Sequence, residues 1–300
     1  MKKFIVTTTI QDPTEATLRF SKKKGWTLIV VGDKKTPHNS YKNLNCIYLT
    51  PDYQQKMNKR LSDKIGWNSI QRRNLGFIYA YKEGADIVAS VDDDNIPYGN
   101  WGKNLYVGEK VYVDTYSSAN GIFDPFSVTK YKELWHRGYP IELLQTKNNI
   151  EKKGKKPYNV LIQADFWDGD PDIDAICRLS KKPEVKFNFK KPFGSYQISP
   201  FNSQNTFFHR DVIPYYMVLP HVGRMDDIWG GYILQKKFPK SLIYNQASVY
   251  QKRNVQDLVL NLEKEIIGYR NTLNFLKNSY SLPKKIESIF EEYKKAFNKL

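Results

Sequence analysis

The chain has 300 residues, 40% of them hydrophobic and 26% charged, with a formal net charge of +16. This composition excludes a disordered chain and predicts a substantial core, in one large domain or two small ones. The charge favours polyanionic partners, but no recognisable nucleic-acid-binding motif accompanies it, so we expect no nucleic acid. Two cysteines cannot form a disulfide framework, and neither a signal peptide nor a membrane-spanning stretch is recognisable, so we expect a cytoplasmic protein.

The first 97 residues alternate strand and helix patterns. Strands are predicted in KFIVTTTI, WTLIVVGD, NCIYLT and DIVASV, and helices in TEATLRFSKKKG and NSIQRRNLGFIYAYKEGA. This alternation predicts a parallel sheet with helices on its faces. Ligands of such sheets lie outside the carboxyl ends of the strands, so we expect residues 7–9, Asp33 and residues 92–94 to converge there.

The second half of the chain is less regular. Strands are predicted in NVLIQADFWDGDPDIDA and FNSQNTFFHRDVIP, and helices in HVGRMDDIWGGYILQKKF and in most of the tail from Val255. The basic segment NNIEKKGKKPYN is interpreted as a mobile loop. We expect the C-terminal amphipathic helix to pack on the core; contact with a membrane surface through its lysines is the alternative.

Three consecutive carboxylates follow the strand DIVASV. Alternate residues of an extended segment face the same way, so Asp92 and Asp94 can face one ion while Asp93 turns aside. Their oxygens suit Mg²⁺ or Mn²⁺, which bind substrate phosphates and keep water. A simple turn before Pro97 is the alternative interpretation.

Other polar residues are candidates for the same site, and each also has a structural interpretation. Arg73 at a helix start has the donors for a diphosphate, although most such arginines are solvated. Asp33 can accept from a nucleotide base or ribose, or form a turn. Asp226 and Asp227 precede a helix and act either as caps or as a general base. The remaining candidates are Lys252 and Arg253 for phosphates, and the rings of Trp167 and Trp229 for a sugar. Either His209 or His221 is a candidate third metal ligand, although a lone histidine is more often a hydrogen-bonded structural residue.

In order along residues 4–270, these motifs resemble known families. The segments TTTI, PTEA, WTLIVVGDKKTP, RRNLGFIYAYKEGADIVASVDDDNIP, GDPDIDAICRL and VYQKRN resemble the STELLO-type glycosyltransferase family, known from plant Golgi proteins. The segments FWDGDPDIDA, FNSQNTFFHRDVI and RMDDIWGGY are similar to the reversibly glycosylated polypeptides, which are UDP-arabinopyranose mutases.

The resemblance implies a GT-A glycosyltransferase fold: a mixed α/β sheet with helices on both faces and a C-terminal helical extension. Residues 1–254 would form the GT-A domain, with a nucleotide-binding half in 1–97 and an acceptor half in 98–254, and 255–300 the extension. The implied metal ligands are Asp92 and Asp94, with His209 as a candidate third. The implied donor-binding residues are Thr7, Thr8, Thr9, Asp33, Arg73, Asp93, Lys252 and Arg253.

The implied activity is metal-dependent transfer of a sugar from a nucleoside-diphosphate sugar, with a UDP-sugar as first candidate, to a glycan, lipid-linked or other hydroxyl acceptor. Mn²⁺ or Mg²⁺ would neutralise the leaving diphosphate, and Asp227 or Asp226 would deprotonate the acceptor. Polysaccharide biosynthesis in the cytoplasm is the expected setting, because the membrane anchor of the plant proteins is missing. A nucleotide-sugar mutase and a non-catalytic sugar-nucleotide-binding partner are the alternatives.

Overall fold

The computed structural model describes residues 1–181, 183–253 and 255–298. The predicted domain boundary at residue 254 and the last two residues of the predicted extension lie outside this part. The strands are β1 (Lys3–Thr9), β2 (Thr27–Gly32), β3 (Ile47–Leu49), β4 (Ile87–Val91), β5 (Asn95–Pro97), β6 (Lys110–Ser118), β7 (Ile150–Asn159), β8 (Ile162–Gly169), β9 (Phe193–Gly194), β10 (Asn205–His209) and β11 (Leu242–Gln251). The longer helices are α1 (Glu15–Phe20), α2 (Pro51–Ile65), α3 (Arg73–Lys82), α4 (Ala175–Lys181), α5 (Asp226–Lys237), α6 (Leu258–Leu276) and α7 (Lys284–Asn298).

One mixed sheet runs through both halves of the described chain. Its strand order is β3-β2-β1-β4-β10-β8-β11-β9-β6-β7, with β5 paired to β11. The first four strands are mutually parallel, as predicted, and β10 is inserted antiparallel between β4 and β8. Because β10 runs the other way, its first residue, Asn205, pairs with the last residue of β4, Val91. The segment that leads into β10 therefore lies at the carboxyl ends of β1, β2 and β4.

Helices cover both faces of the sheet. The contacts of two adjacent residues of β10 show one helix on each face. Side chains of neighbouring strand residues point to opposite faces. Phe208 contacts the ring of Phe77 on α3, whereas Phe207 contacts Trp101, which in turn packs edge-on against Phe20 of α1. The predicted fold class, a mixed α/β sheet with helices on both faces and C-terminal helices, is confirmed.

The C-terminal helices pack on the core. Helix α7 buries Ile286, Ile289 and Tyr293 and packs on α2 and α3, and the Tyr293 hydroxyl donates to the Ile213 carbonyl at 2.9 Å. This confirms the expectation that the amphipathic tail packs on the core. Within the described ranges, no helix combines the length and apolar character needed to cross a bilayer.

The interpretation of NNIEKKGKKPYN as a loop is wrong, because Ile150–Asn159 forms strand β7 at the edge of the sheet. All but two of its residues are exposed, so the alternation of buried and exposed side chains that marks a strand in sequence is missing. Pairing with β6 determines its conformation, and lysines are common on edge strands because they oppose further pairing.

Gly230 and Gly231 allow α5 to pack closely on its neighbours, and this packing can be tested by substitution. A Cβ at Gly230 would collide with the Met217 carbonyl oxygen. Although alanine is the better helix former, we expect Gly230→Ala to lower the free energy of unfolding by roughly 1–3 kcal/mol because the helix must move away. Urea unfolding measures this. Gly99→Ala, where a Cβ meets nothing within 4 Å, is the control, and equal stability of the two variants would contradict the packing argument.

Candidate active site

Two adjoining clefts open at the carboxyl ends of the parallel strands. The larger, about 480 Å³, is lined by residues from the loop after β4, the loop before β10, the start of α5 and the segment after β11. The smaller, about 230 Å³, lies at the ends of β1 and β2. Residues 68–70 line both clefts, so the two are continuous. The predicted convergence of polar residues at this edge of the sheet is observed.

The three consecutive aspartates divide between the clefts. Asp92 and Asp94 line the larger cleft, whereas Asp93 lines the smaller one. Burial, and then the charge of Asp92, raise the pKa of Asp94 to about 7. The negative charge of Asp92 thus disfavours ionisation of Asp94, and Arg73 beside Asp92 and Arg253 near Asp94 offset only part of this repulsion.

The oxygen atoms around this pair fit a divalent cation. Asp94 Oδ1, Gln204 Oε1 and Gln251 Oε1 are buried, line the larger cleft and accept no hydrogen bond from the described residues. Oxygen ligands of this kind suit Mg²⁺ or Mn²⁺. No group of three or more His, Cys, Asp or Glu side chains in the described part of the chain is arranged to hold a metal. A cation here would therefore have Asp92 and Asp94 as its carboxylate ligands, a number that suits an ion that also binds substrate phosphates.

Arg73 holds Asp92 and does not face the cleft, which corrects its prediction as a diphosphate ligand. Its guanidinium is 1% exposed and donates to Asp92 Oδ1 at 2.5 Å, and to the carbonyl and hydroxyl oxygens of Ser203 at 2.8 Å. Burial opposes the charge of Arg73, but Asp92 outweighs it and raises the pKa of the arginine. Arg73 therefore orients a candidate metal ligand.

Asp226 and Asp227 lie side by side at the start of α5, in different environments. Asp227 accepts from Arg137 at 3.0 Å and from the backbone N–H of Ser203 at 2.9 Å, so both of its oxygens are engaged. Burial opposes ionisation of Asp227, but Arg137 outweighs it and lowers the pKa. Asp226 accepts from Gln71 Nε2 at 2.8 Å, and burial, followed by the charge of Asp227, raises its pKa to about 7. A carboxylate with a pKa near neutrality can gain and lose a proton during catalysis.

Arg137 is the centre of this part of the site, and the sequence did not indicate it. It donates from Nε and Nη2 to the two oxygens of Asp172, at 2.8 and 3.0 Å, and from Nη1 to Asp227. Ser203 connects Asp227 to Arg73 and so to Asp92. A continuous buried network therefore links Asp92, one candidate metal ligand, to Asp227, one of the two candidate bases. Its partners are 35 and 90 residues away from Arg137 in sequence, so no local pattern reveals them.

The smaller cleft contains four of the eight predicted donor-binding residues. Thr8, Thr9, Asp33 and Asp93 line it, and Asp33 Oδ2 accepts from the backbone N–H of Ser69 at 3.0 Å. Thr7 is buried within β1 and does not line the cleft. Arg72, rather than Arg73, is the arginine that lines this cleft, where its guanidinium also stacks on Trp67 at 3.7 Å.

The two cations after β11 take different positions. Arg253 lines the larger cleft with a side chain only 6% exposed, and its Nη2 donates to no acceptor among the described residues. Lys252 is exposed and does not line either cleft, while its backbone N–H donates to the Asp94 carbonyl at 3.2 Å. Of the two, Arg253 is the one placed to contact an anionic group beside Asp94.

Three other candidates lie away from the clefts. The prediction of His209 as a third metal ligand is wrong, because His209 pairs with Ile87 at the opposite end of β4 from the aspartates. Trp229 is fully buried and stacks on Phe275, and Trp167 is 4% exposed, so neither presents a face to a sugar. His221, in contrast, lines the larger cleft.

The chain is similar to two curated proteins of Arabidopsis thaliana. It is 25% identical over 299 residues to "Probable glycosyltransferase STELLO2", covering 88% of this chain and 39% of that protein. It is 26% identical over 255 residues to "Probable glycosyltransferase STELLO1", covering 77% of this chain and 32% of that protein. The chain thus spans about two fifths or less of each relative. The predicted resemblance to STELLO-type proteins is confirmed.

No protein-family model matches the chain. Among solved structures, glucosyl-3-phosphoglycerate synthase from Mycobacterium tuberculosis aligns with a TM-score of 0.47 and 12% identity, over 93% of this chain and 81% of that one.

Proposed function

We propose that the protein is a metal-dependent glycosyltransferase that uses a nucleoside-diphosphate sugar, with a UDP-sugar as the first candidate. One observation carries the proposal: the carboxylate pair Asp92 and Asp94 shares a cleft with Asp226, whose pKa is raised to about 7. The proposed metal ligands and the proposed base, Asp226, both lie at the edge of the sheet where α/β folds bind ligands. The similarity to two proteins described as probable glycosyltransferases supports the same activity.

The donor would lie across both clefts. Its base and ribose would occupy the smaller cleft, where Asp33 and the end of β1 offer hydrogen-bond acceptors. Its diphosphate would lie in the larger cleft, close to Asp92, Asp94 and the unpartnered Nη2 of Arg253. A divalent cation held by the two aspartates supplies positive charge that stabilises the leaving diphosphate. Arg73 fixes the Asp92 carboxylate for this purpose, and Arg253 adds a second positive charge.

Asp226 would act as the general base. Its carboxylate faces the larger cleft, and Gln71 holds one of its oxygens at 2.8 Å. In its ionised form it would accept the proton of an acceptor hydroxyl as that oxygen attacks the anomeric carbon. Asp227 would serve as a positioning residue, because its charge contributes to the raised pKa of Asp226, while Arg137 lowers the pKa of Asp227 itself. Both residues accept hydrogen bonds at both oxygens, so this electrostatic difference separates their proposed roles.

Calorimetric titration tests the donor site. UDP, GDP, CDP and ADP are titrated into the wild type and Asp94→Ala, with Mn²⁺ and with EDTA. We expect one nucleotide to bind with Mn²⁺, to bind at least tenfold more weakly with EDTA, and to lose the metal-dependent part in Asp94→Ala, because one of the two carboxylate ligands is gone. Asp211→Asn, an exposed carboxylate beside His209, is the control and should bind like the wild type.

The outcomes separate the alternatives. Binding of none of the four nucleotides would contradict the proposed function. Binding that Asp94→Ala leaves unchanged would place the cation elsewhere. Once the nucleotide is known, its sugar conjugates distinguish transfer, which releases the nucleoside diphosphate, from a mutase reaction, which returns an isomeric nucleotide sugar.

A further inference from the structure

The C-terminal helix α6 forms one wall of the larger cleft. Gln256, just before the helix, and Lys264 within it both line the cleft. Gly223 packs directly on the Lys264 carbonyl, so closely that a Cβ there would collide with it. Glu265, which is 1% exposed, accepts from the Ala175 N–H, the Tyr269 hydroxyl and Arg224 Nε at 2.6–2.7 Å. These contacts fix α6 against the segment that precedes Asp226.

This wall carries an excess of positive charge. Arg224 pairs with Glu265 through Nε, and its two terminal nitrogens donate to no acceptor among the described residues. Lys264 is exposed and has no ion-pair partner in the described part of the chain. His221 lines the same cleft, where burial, followed by the charge of Lys285, lowers the pKa of its imidazole. Glu265 offsets only one of these charges.

The wall is separate from the donor side of the cleft. Arg253 is the cation placed beside Asp94, where the donor diphosphate is proposed to bind. Arg224 precedes Asp226 by two residues, so the positive wall adjoins the proposed base rather than the proposed cation site. A second anionic group could therefore bind here while a donor occupies its own site. Guanidinium and ammonium groups together are the usual protein partners of phosphate and carboxylate oxygens.

We infer that His221, Arg224 and Lys264 form an acceptor subsite for an anionic group, a phosphate or a carboxylate, that lies close to the attacking hydroxyl. The inference rests on the proposed function and narrows its acceptor to anionic hydroxyl compounds. Neutral glycans of the same size would lack the group that these three side chains bind.

Two small anions test the subsite. Inorganic phosphate and malonate are titrated by calorimetry into the protein saturated with UDP and Mg²⁺, so that the donor site is already filled. We expect at least one of them to bind, at least tenfold more weakly to Lys264→Gln, and still more weakly to Lys264→Glu, because a charge-assisted contact is lost and then reversed. Arg270→Gln is the matched control: Arg270 is exposed on the same helix but does not line the cleft.

The two probes and the donor titration give distinct outcomes. Binding of phosphate alone identifies a phosphorylated acceptor, and binding of malonate alone a carboxylated one; both support the subsite. UDP binding without either anion, or equal anion binding by Lys264→Gln and the wild type, overturns the subsite and leaves the proposed function standing. Failure of the wild type to bind UDP contradicts the proposed function itself. Lys264→Gln should bind UDP as the wild type does, since Lys264 is outside the proposed donor site.

Discussion

Asp226→Asn is expected to reduce turnover by roughly 10²–10⁴-fold while UDP binding and folding are retained, because a general base contributes about that factor. Asparagine has the size of aspartate. In the wild type, Asp226 Oδ1 accepts a hydrogen bond from the Asp227 N–H at 2.9 Å, and the amide oxygen of asparagine can accept the same bond. It cannot take a proton from the acceptor. Release of the nucleoside diphosphate from the bound sugar nucleotide, followed under single-turnover conditions, measures the effect.

The pH dependence of the wild type follows from the same carboxylate. Burial and the charge of Asp227 raise the pKa of Asp226 from 3.8 to about 7, so the ionised base forms, and the rate increases, as the pH rises through about 7. The effect on stability has the opposite sign. Between pH 4 and 7 the unfolded chain ionises this group while the folded protein does not, so the contribution of Asp226 to stability is lost as the pH rises. Because the pKa of Asp94 is also raised to about 7, Asp226→Asn should weaken both dependences without abolishing them, which a pH series of rates and of urea unfolding detects.

Two variants distinguish this assignment from its alternatives. Asp227→Asn should lower stability, because it removes one of the two negative partners of the buried Arg137, and it should lower the pKa of Asp226 by removing a neighbouring charge. Asp211→Asn, at the far end of β10, should leave rate and stability unchanged. Retention of activity within about threefold by Asp226→Asn would exclude it as the base, since a general base accounts for at least ~10²-fold.

The first half of the fold was predictable because its signals are local. Strands β1, β2 and β4 are rich in β-branched residues, the N-cap Thr14 stands directly before α1, and the aspartates follow directly after β4. Once the parallel order is assumed, the convergence of Asp33 with Asp92 and Asp94 follows, because the carboxyl ends of parallel strands lie at one edge. Asp93 is separated from its neighbours as predicted, but not by the strand period: residues 93 and 94 form a turn, in which the Asn95 N–H donates to the Asp92 carbonyl at 3.3 Å, so the turn considered as the alternative is present.

The remaining features depend on contacts between distant parts of the chain. Strand β7 is determined by its pairing with β6, and its exposed lysines carry no periodic signal. Arg73 looks like a phosphate ligand in sequence, but Ser203, 130 residues away, and Asp92 bury it. The sequence does not reveal the direction of the strand that ends at His209. Because β10 is antiparallel to β4, His209 lies beside Ile87, at the end of the sheet opposite the aspartates. Tertiary pairing, not local pattern, decides each of these cases.

Arg137 offers the largest expected effect on stability. Replacing it by methionine leaves the buried carboxylates of Asp172 and Asp227 without their positive partner, and we expect a loss of roughly 3–5 kcal/mol in the free energy of unfolding. Urea unfolding at pH 8 measures it. Arg19→Met is the matched control, because Arg19 pairs with Glu15 on the surface, where such pairs contribute only about 0–1 kcal/mol.

Urea unfolding of the same two proteins at lower pH distinguishes the effect of the Arg137 charge from the effect of its packing. In the wild type, burial opposes the ionisation of Asp172 and Asp227, but Arg137 outweighs it and lowers both pKa values, so their stabilising contribution is present above pH 4 and is lost only on strong acidification. Without Arg137 the two carboxylates are desolvated but unpaired, so they should take up protons at higher pH. The stability gap between the wild type and Arg137→Met should therefore narrow between pH 8 and pH 4. A gap that stays constant over this range would mean that the guanidinium fills space rather than neutralising the two aspartates. It would also remove the electrostatic reason for Asp226, rather than Asp227, to carry the titrating proton.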